Sequence, residues 1–170
     1  MSAAGISQGK ARYEVREVVL HTAAIEDPGA FLERFPTAPQ VHAEIDSWHK
    51  ANGWRGFGYH YGIMPDGTVF SGRRETEIGA HVKEANRGTI GIVMINVRRH
   101  AGITKFSDYF TNDQRRAVRG LIADINDRAS LERVTGHNQY APKECPGFRV
   151  VSEHWLPAPS WWSRLIRRLS

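Results

Sequence analysis

The run Thr89-Ile-Gly-Ile-Val-Met-Ile95 is β-rich and apolar on both faces that a strand presents. A strand of this kind must be covered above and below, so it predicts the centre of a sheet with a layer packed on each side. It cannot be a membrane span: the longest apolar stretch, Ile90–Ile95, is far short of the roughly 18 residues required.

The rest of the chain supplies those layers. Val15–His21 (VREVVLH) reads as a second buried strand. Ala23–Gln40 carries Pro28, Gly29, Pro36 and Pro39, which predicts mostly loop with one helical turn at Ala30–Arg34. Val41, Ile45 and Trp48 recur at helical spacing before Gly53, giving an amphipathic helix over Val41–Asn52. FGYHYGIM and TVFSGR flank Pro65-Asp66-Gly67, the pattern of strand, tight turn, strand. Residues 97–110 are basic and irregular. Thr111 and Gln114 form a capping box ahead of a long helix whose apolar face is Ala117, Val118, Leu121, Ile122 and Ile125. Arg133–His137 is the last predicted strand, and Ala141–Phe148 the loop after it. Alternating strands and helices predict an α/β fold with a central mixed sheet flanked by helices.

At 170 residues the chain is long enough for one domain with a full core. We expect residues 1–156 to form it and 157–170 to form a separate tail. A single cysteine excludes an internal disulfide and any multi-cysteine structural zinc site. No apolar segment near the N-terminus has the form of a secretory signal or a membrane span, so a cytoplasmic origin is expected. Charge is uneven. Residues 1–85 hold 9 Lys/Arg against 11 Asp/Glu, whereas residues 86–170 hold 14 against 7. The bias points to an anionic partner for the second half, or to no more than a basic soluble surface.

Eight histidines are present. His42, His49, His100 and His154 fall on helix or loop surfaces and read as solvated. His21 and His137 each close a predicted strand, and Cys145 follows in HNQYAPKECP. Two imidazoles and a thiolate suit zinc, with a fourth position left for water. On spacing alone the usual reading of Cys145 is an inert buried thiol. A thiol nucleophile beside a histidine is a further reading, against which Pro146 offers no backbone N–H for an oxyanion hole.

Four ordered segments resemble the zinc N-acetylmuramoyl-L-alanine amidases of the phage-lysozyme type, which share their fold with peptidoglycan recognition proteins. They are VVLHTAA around His21, WHKANGWRGFGYHYGIMPDGTVFSGR over Trp48–Arg73, GAHVKEANRGTIGIVMI over Gly79–Ile95 and GHNQYAPKECPGF over Gly136–Phe148. The resemblance implies one zinc ion per chain on His21, His137 and Cys145. It implies Tyr59 and Lys143 as catalytic residues and His81 as a substrate-groove histidine. The bond cut would join the lactyl group of N-acetylmuramic acid to L-alanine. The function implied is that of an endolysin, kept in the host cytoplasm until lysis and acting on peptidoglycan.

Within the same resemblance, cytosolic muropeptide-recycling amidases carry aspartate where Cys145 stands, which argues against that alternative. A peptidoglycan-binding or polymerase-regulating protein of the same fold is the other alternative, and metal-free binders lack a ligand that is present here. No nucleic-acid motif accompanies the basic charge, so nucleic acid is not an expected partner. In the tail, Trp161, Trp162, Leu165, Ile166 and Leu169 would share an arc of about 140° on a helix, opposite Arg164, Arg167 and Arg168. That is the pattern of an interfacial binder of anionic envelope lipid or lipopolysaccharide, or of a helix docked on its own domain.

Overall fold

The computed structural model describes residues 5–158. A short hairpin of β1 (Ser7–Gln8) and β2 (Tyr13–Glu14) precedes the main sheet. There follow β3 (Glu17–Thr22), α1 (Pro28–Arg34), α2 (Ala38–Ala51), β4 (Tyr61–Ile63), β5 (Val69–Ser71) and β6 (Thr89–Met94). The chain continues with α3 (Phe106–Tyr109), α4 (Asn112–Ala129) and β7 (Arg133–Gly136). The sheet has the order β5-β4-β6-β3-β7. Only the β4–β5 pair is antiparallel, so the sheet is mixed, and β6 is its middle strand as its double-sided apolarity requires.

Strand alternation divides the core in two. Val18, Leu20, Ile90, Ile92 and Met94 meet Val118, Ile122 and Ile125 of α4 on one face. Val93 and Ile95 meet Phe31 of α1 and Val41 and Ile45 of α2 on the other. The capping box forms as expected. Thr111 Oγ1 accepts from the Gln114 N–H at 3.1 Å, and Gln114 Oε1 accepts from the Thr111 N–H at 2.9 Å. Gln114 is fully buried because its Nε2 donates to Ile63 O and Ile95 O, tying α4 to the ends of β4 and β6.

Several local expectations are corrected. The proline-rich segment contains all of α1 and the first turn of α2, because Pro28 and Pro39 sit in first turns, where their missing N–H would have had no helical partner. Residues 97–110 include α3. His137 lies just beyond β7, opening a 3-10 turn over His137–Gln139. The tail from residue 159 lies outside the described residues, and the expected division at 156/157 with it.

Candidate metal centre and amidase site

Parallel pairing builds the centre. β3 and β7 run side by side with Leu20 opposite Gly136, so the next residues along, His21 and His137, meet at the carboxyl end of the sheet. Their ring centroids are 4.8 Å apart. Crevices at this end of parallel strands are the usual place for ligands in α/β sheets. The loop after His137 then folds back. Asn138 N–H donates to Cys145 O at 2.7 Å, and the Thr22 N–H donates to Cys145 Sγ at 3.3 Å. The result is a cluster in which one donor atom each from His21, His137 and Cys145 lies within 4.8 Å of the others. His21 Nδ1 is 3.7 Å from Cys145 Sγ. A tetrahedral zinc ion bound through one imidazole nitrogen and one thiolate sets those atoms about 3.6 Å apart, so the donor set and spacing fit such an ion.

A hydrogen-bond chain aims His21. Thr89 Oγ1 donates to the carbonyl oxygens of Ala85 and Asn86, at 3.0 and 3.1 Å, and so has lone pairs facing His81 Nε2 at 3.4 Å. His81 Nδ1 then accepts from the His21 Nε2–H at 3.1 Å. The His21 tautomer that results leaves the Nδ1 lone pair turned toward Cys145. Asn86 Oδ1 accepts from the His81 and Val82 N–H groups, both at 2.8 Å, and holds the loop that carries His81. His81 is 5% exposed and stands over the backbone of β6. A Cβ at Gly91 would lie 2.5 Å from His81 Cγ, which explains a glycine inside the central strand.

Electrostatics favour neutral imidazoles. Burial pushes His21 well below the usual histidine range, with His81, His137 and Lys143 adding to the effect. Burial and then Lys143 lower His137. Burial raises the Cys145 thiol to about 11, against the opposing pull of the Thr22 N–H and Lys143. A thiol raised in this way is not activated as a free nucleophile, which weighs against the cysteine-hydrolase reading.

Tyr59 stands beside His21, ring centroids 5.0 Å apart, and burial followed by the charge at Cys145 raises its hydroxyl. It therefore stays protonated at neutral pH and can donate a hydrogen bond. Two residues of α2 set the segment that leads to it: Asp46 Oδ1 accepts from the Phe57 N–H at 2.7 Å, and His49 Nδ1 from the Gly58 N–H at 3.0 Å. Lys143 is exposed and lines, with His137, both a cavity of about 390 Å³ and an adjoining one of about 230 Å³. Trp54, 44% exposed, forms a wall of the larger one together with His81.

The structure brings His21, His137 and Cys145, and with them the Tyr59, Lys143 and His81 that the resemblance assigns, into one neighbourhood. Sequence reasoning missed others. His49 is 8% exposed, not solvated, and His100 stacks on Tyr109 at 4.1 Å with Nε2 2.9 Å from Thr22 Oγ1. Burial lowers both rings. His60 was not singled out, yet it is fully buried and bridges strands, its Nδ1 accepting from the Gly91 N–H at 3.0 Å. Period counting gave no warning for any of these, because each is fixed by a partner distant in sequence. Trp54 did carry a signal, being an aromatic in a glycine-bounded loop.

Comparison with known proteins identifies the family and the fold. Residues 11–148 match the N-acetylmuramoyl-L-alanine amidase family. The endolysin of Escherichia phage T7 is 34% identical over 121 residues, spanning 71% of this chain and 74% of that protein. Among solved structures, the endolysin amidase LysCS from Clostridium intestinale URNW has a TM-score of 0.63 at 25% identity, covering 80% of this chain and 78% of that one. Drosophila PGRP-LB shares the fold, with a TM-score of 0.65 at 24% identity over 85% of this chain and 81% of that one. The extent of the family match and the likeness to the phage protein show that this chain belongs to the N-acetylmuramoyl-L-alanine amidase family.

Proposed function

We propose that this amidase hydrolyses the bond between N-acetylmuramic acid and L-alanine in peptidoglycan with one zinc ion, held by His21, His137 and Cys145. The observation that carries the reading is the three-donor cluster at the carboxyl end of β3 and β7, with its 3.7 Å spacing between His21 Nδ1 and Cys145 Sγ. Zinc bound there supplies a Lewis acid for the scissile carbonyl and an activated water at neutral pH. His21 and His137, kept neutral, offer lone pairs, and the Thr22 N–H stabilises the Cys145 thiolate. Tyr59, protonated and beside His21, donates a hydrogen bond to the oxygen that gains charge as the amide is attacked. Lys143 donates to the same oxygen from the mouth of the cavity, where one well-placed donor is worth roughly 3–4 kcal/mol. The carbonyl-side sugar and the stem peptide occupy the cavities lined by Trp54, His81, Val82 and Lys143.

The likeness to phage endolysins supports action on intact wall polymer, with release from the host cytoplasm at lysis. No helix among the described residues is long and apolar enough to cross a membrane. The basic, tryptophan-bearing segment beyond residue 157 is read as a contact for anionic envelope lipid or lipopolysaccharide. Digestion of purified sacculi, with chelator and then zinc add-back, tests the activity. Mass spectrometry should find new L-alanine amino termini, lost with chelator and restored by zinc. New reducing sugars in their place, or release indifferent to chelator, would refute the reading.

A further inference from the structure

Part of the positive charge of the C-terminal half gathers at one place. A cavity of about 540 Å³ lies between α3, the first turns of α4 and the segment from Phe148 to Trp155. Lys105, Arg115, Arg119 and Arg149 line it. All four are exposed, and none forms an ion pair among the described residues. Glu153 is the single carboxylate in the lining, so the cavity is strongly positive. It shares no lining residue with the cavities around His137 and Lys143.

The floor is buried and apolar. Phe106, Phe148 and Trp155 are 6%, 3% and 8% exposed, and their rings pack 5.1–5.9 Å apart. Arg115 lies over this floor with its guanidinium carbon 4.6 Å from the Phe106 ring centroid. Arg119, one helical turn further along α4, projects from the same face. Four cations against the one carboxylate of the lining leave an excess of like charge that repels itself, and an anion that enters relieves the repulsion. Guanidinium groups in pairs suit the oxygens of phosphate in particular.

We propose that this cavity binds the phosphate headgroups of an anionic phospholipid surface. Two observations favour lipid over nucleic acid. The cations surround one cavity instead of forming a track along a groove, and the aromatic rings beneath, tilted or edge-to-face against one another, are buried and so offer no open platform on which bases could stack. In sequence, the cavity wall at Trp155 runs directly into the segment 157–170, which holds Trp161, Trp162 and three arginines and no acidic residue.

The test is co-sedimentation of the full chain with vesicles of phosphatidylcholine and phosphatidylglycerol, against vesicles of phosphatidylcholine alone. One cation near such a surface contributes about fivefold in partitioning, so Arg115→Gln/Arg119→Gln should bind about thirtyfold more weakly. Its amidase activity on sacculi should equal that of the parent chain, which reports intact folding. Lys10→Gln/Arg34→Gln removes the same charge elsewhere and should bind like the parent. Equal losses in the two variants would make the effect one of net charge and overturn the site. So would a parent chain that ignores the anionic vesicles, an α4 variant that binds them undiminished, or a loss confined to duplex DNA binding.

Discussion

His81 Nδ1 lies 3.1 Å from His21 Nε2, and Thr89 fixes the other side of the His81 ring. A histidine that the resemblance assigns to the substrate groove thus also orients a proposed metal ligand. Partners that orient ligands in this way typically cost 10–100-fold in metal affinity when removed. His81→Ala should lose zinc affinity by that amount in chelator competition, and Thr89→Val, a smaller perturbation, should lose part of it. Affinity unchanged in both variants would leave His81 with a substrate role alone.

Metal and proton donation should separate by mutation. Cys145→Ala removes one of the three proposed zinc ligands and is expected to abolish both bound zinc and activity. Lys143→Ala leaves the ligand cluster intact, so zinc content should stay stoichiometric while kcat falls about 10²–10³-fold, the usual effect of deleting one oxyanion donor. Metal analysis alongside turnover decides the matter, and zinc lost from the Lys143 variant would contradict the assignment.

Trp54 is a large apolar side chain, 44% exposed, on the wall of the 390 Å³ cavity that also touches His137 and Lys143. Its contact with substrate would be made equally before and during reaction. Trp54→Ala should therefore raise KM on soluble muropeptides with kcat nearly unchanged. A fall in kcat at constant KM would place it in the reacting geometry instead.

Gly91 has a steric role that can be measured. An added Cβ would meet His81 Cγ at 2.5 Å and Nδ1 at 2.8 Å. Gly91→Ala should destabilise the fold by about 1–3 kcal/mol through overpacking, and should weaken zinc binding because His81 is the group displaced. Denaturant midpoints and chelator competition on the same variant test both effects. Stability lost with metal affinity intact would show that His81 moves without disturbing His21.

Much of this architecture was legible because its signals are local. Thr89–Ile95 is apolar on both faces and lies at the sheet centre, and Thr111 with Gln114 caps α4. His21 and His137 were placed by strand ends, although the register that brings them together comes from pairing across more than a hundred residues. The prolines misled because their effect depends on helical position. At Pro28 and Pro39 they begin helices, and nothing local distinguishes that from a loop. His49, His60 and His100 escaped for a related reason. Each accepts or shares a hydrogen bond with a group whose proximity exists only in the folded chain.

Glu75 predicts how stability responds to acid. Its side chain is 16% exposed, Tyr61 OH donates to Oε1 at 2.7 Å, and Arg128 pairs with both oxygens, joining β4 to the last turn of α4. Burial alone would raise this carboxyl. The hydrogen bonds from Arg128 and Tyr61, with the charge of Arg128, outweigh it and hold the group below its usual range. The folded chain therefore binds this proton less readily than the unfolded chain, whose glutamates titrate near about 4.3. Its contribution is fully present above that pH and is lost as the pH falls through the lower folded value. Glu75→Gln keeps an acceptor for Tyr61 but removes the charge. In urea unfolding, the parent chain should exceed the variant most at neutral pH, and the gap should close as the pH drops below about 4. A gap that stayed constant with pH would show that ionisation of Glu75 contributes nothing to holding α4 against the sheet.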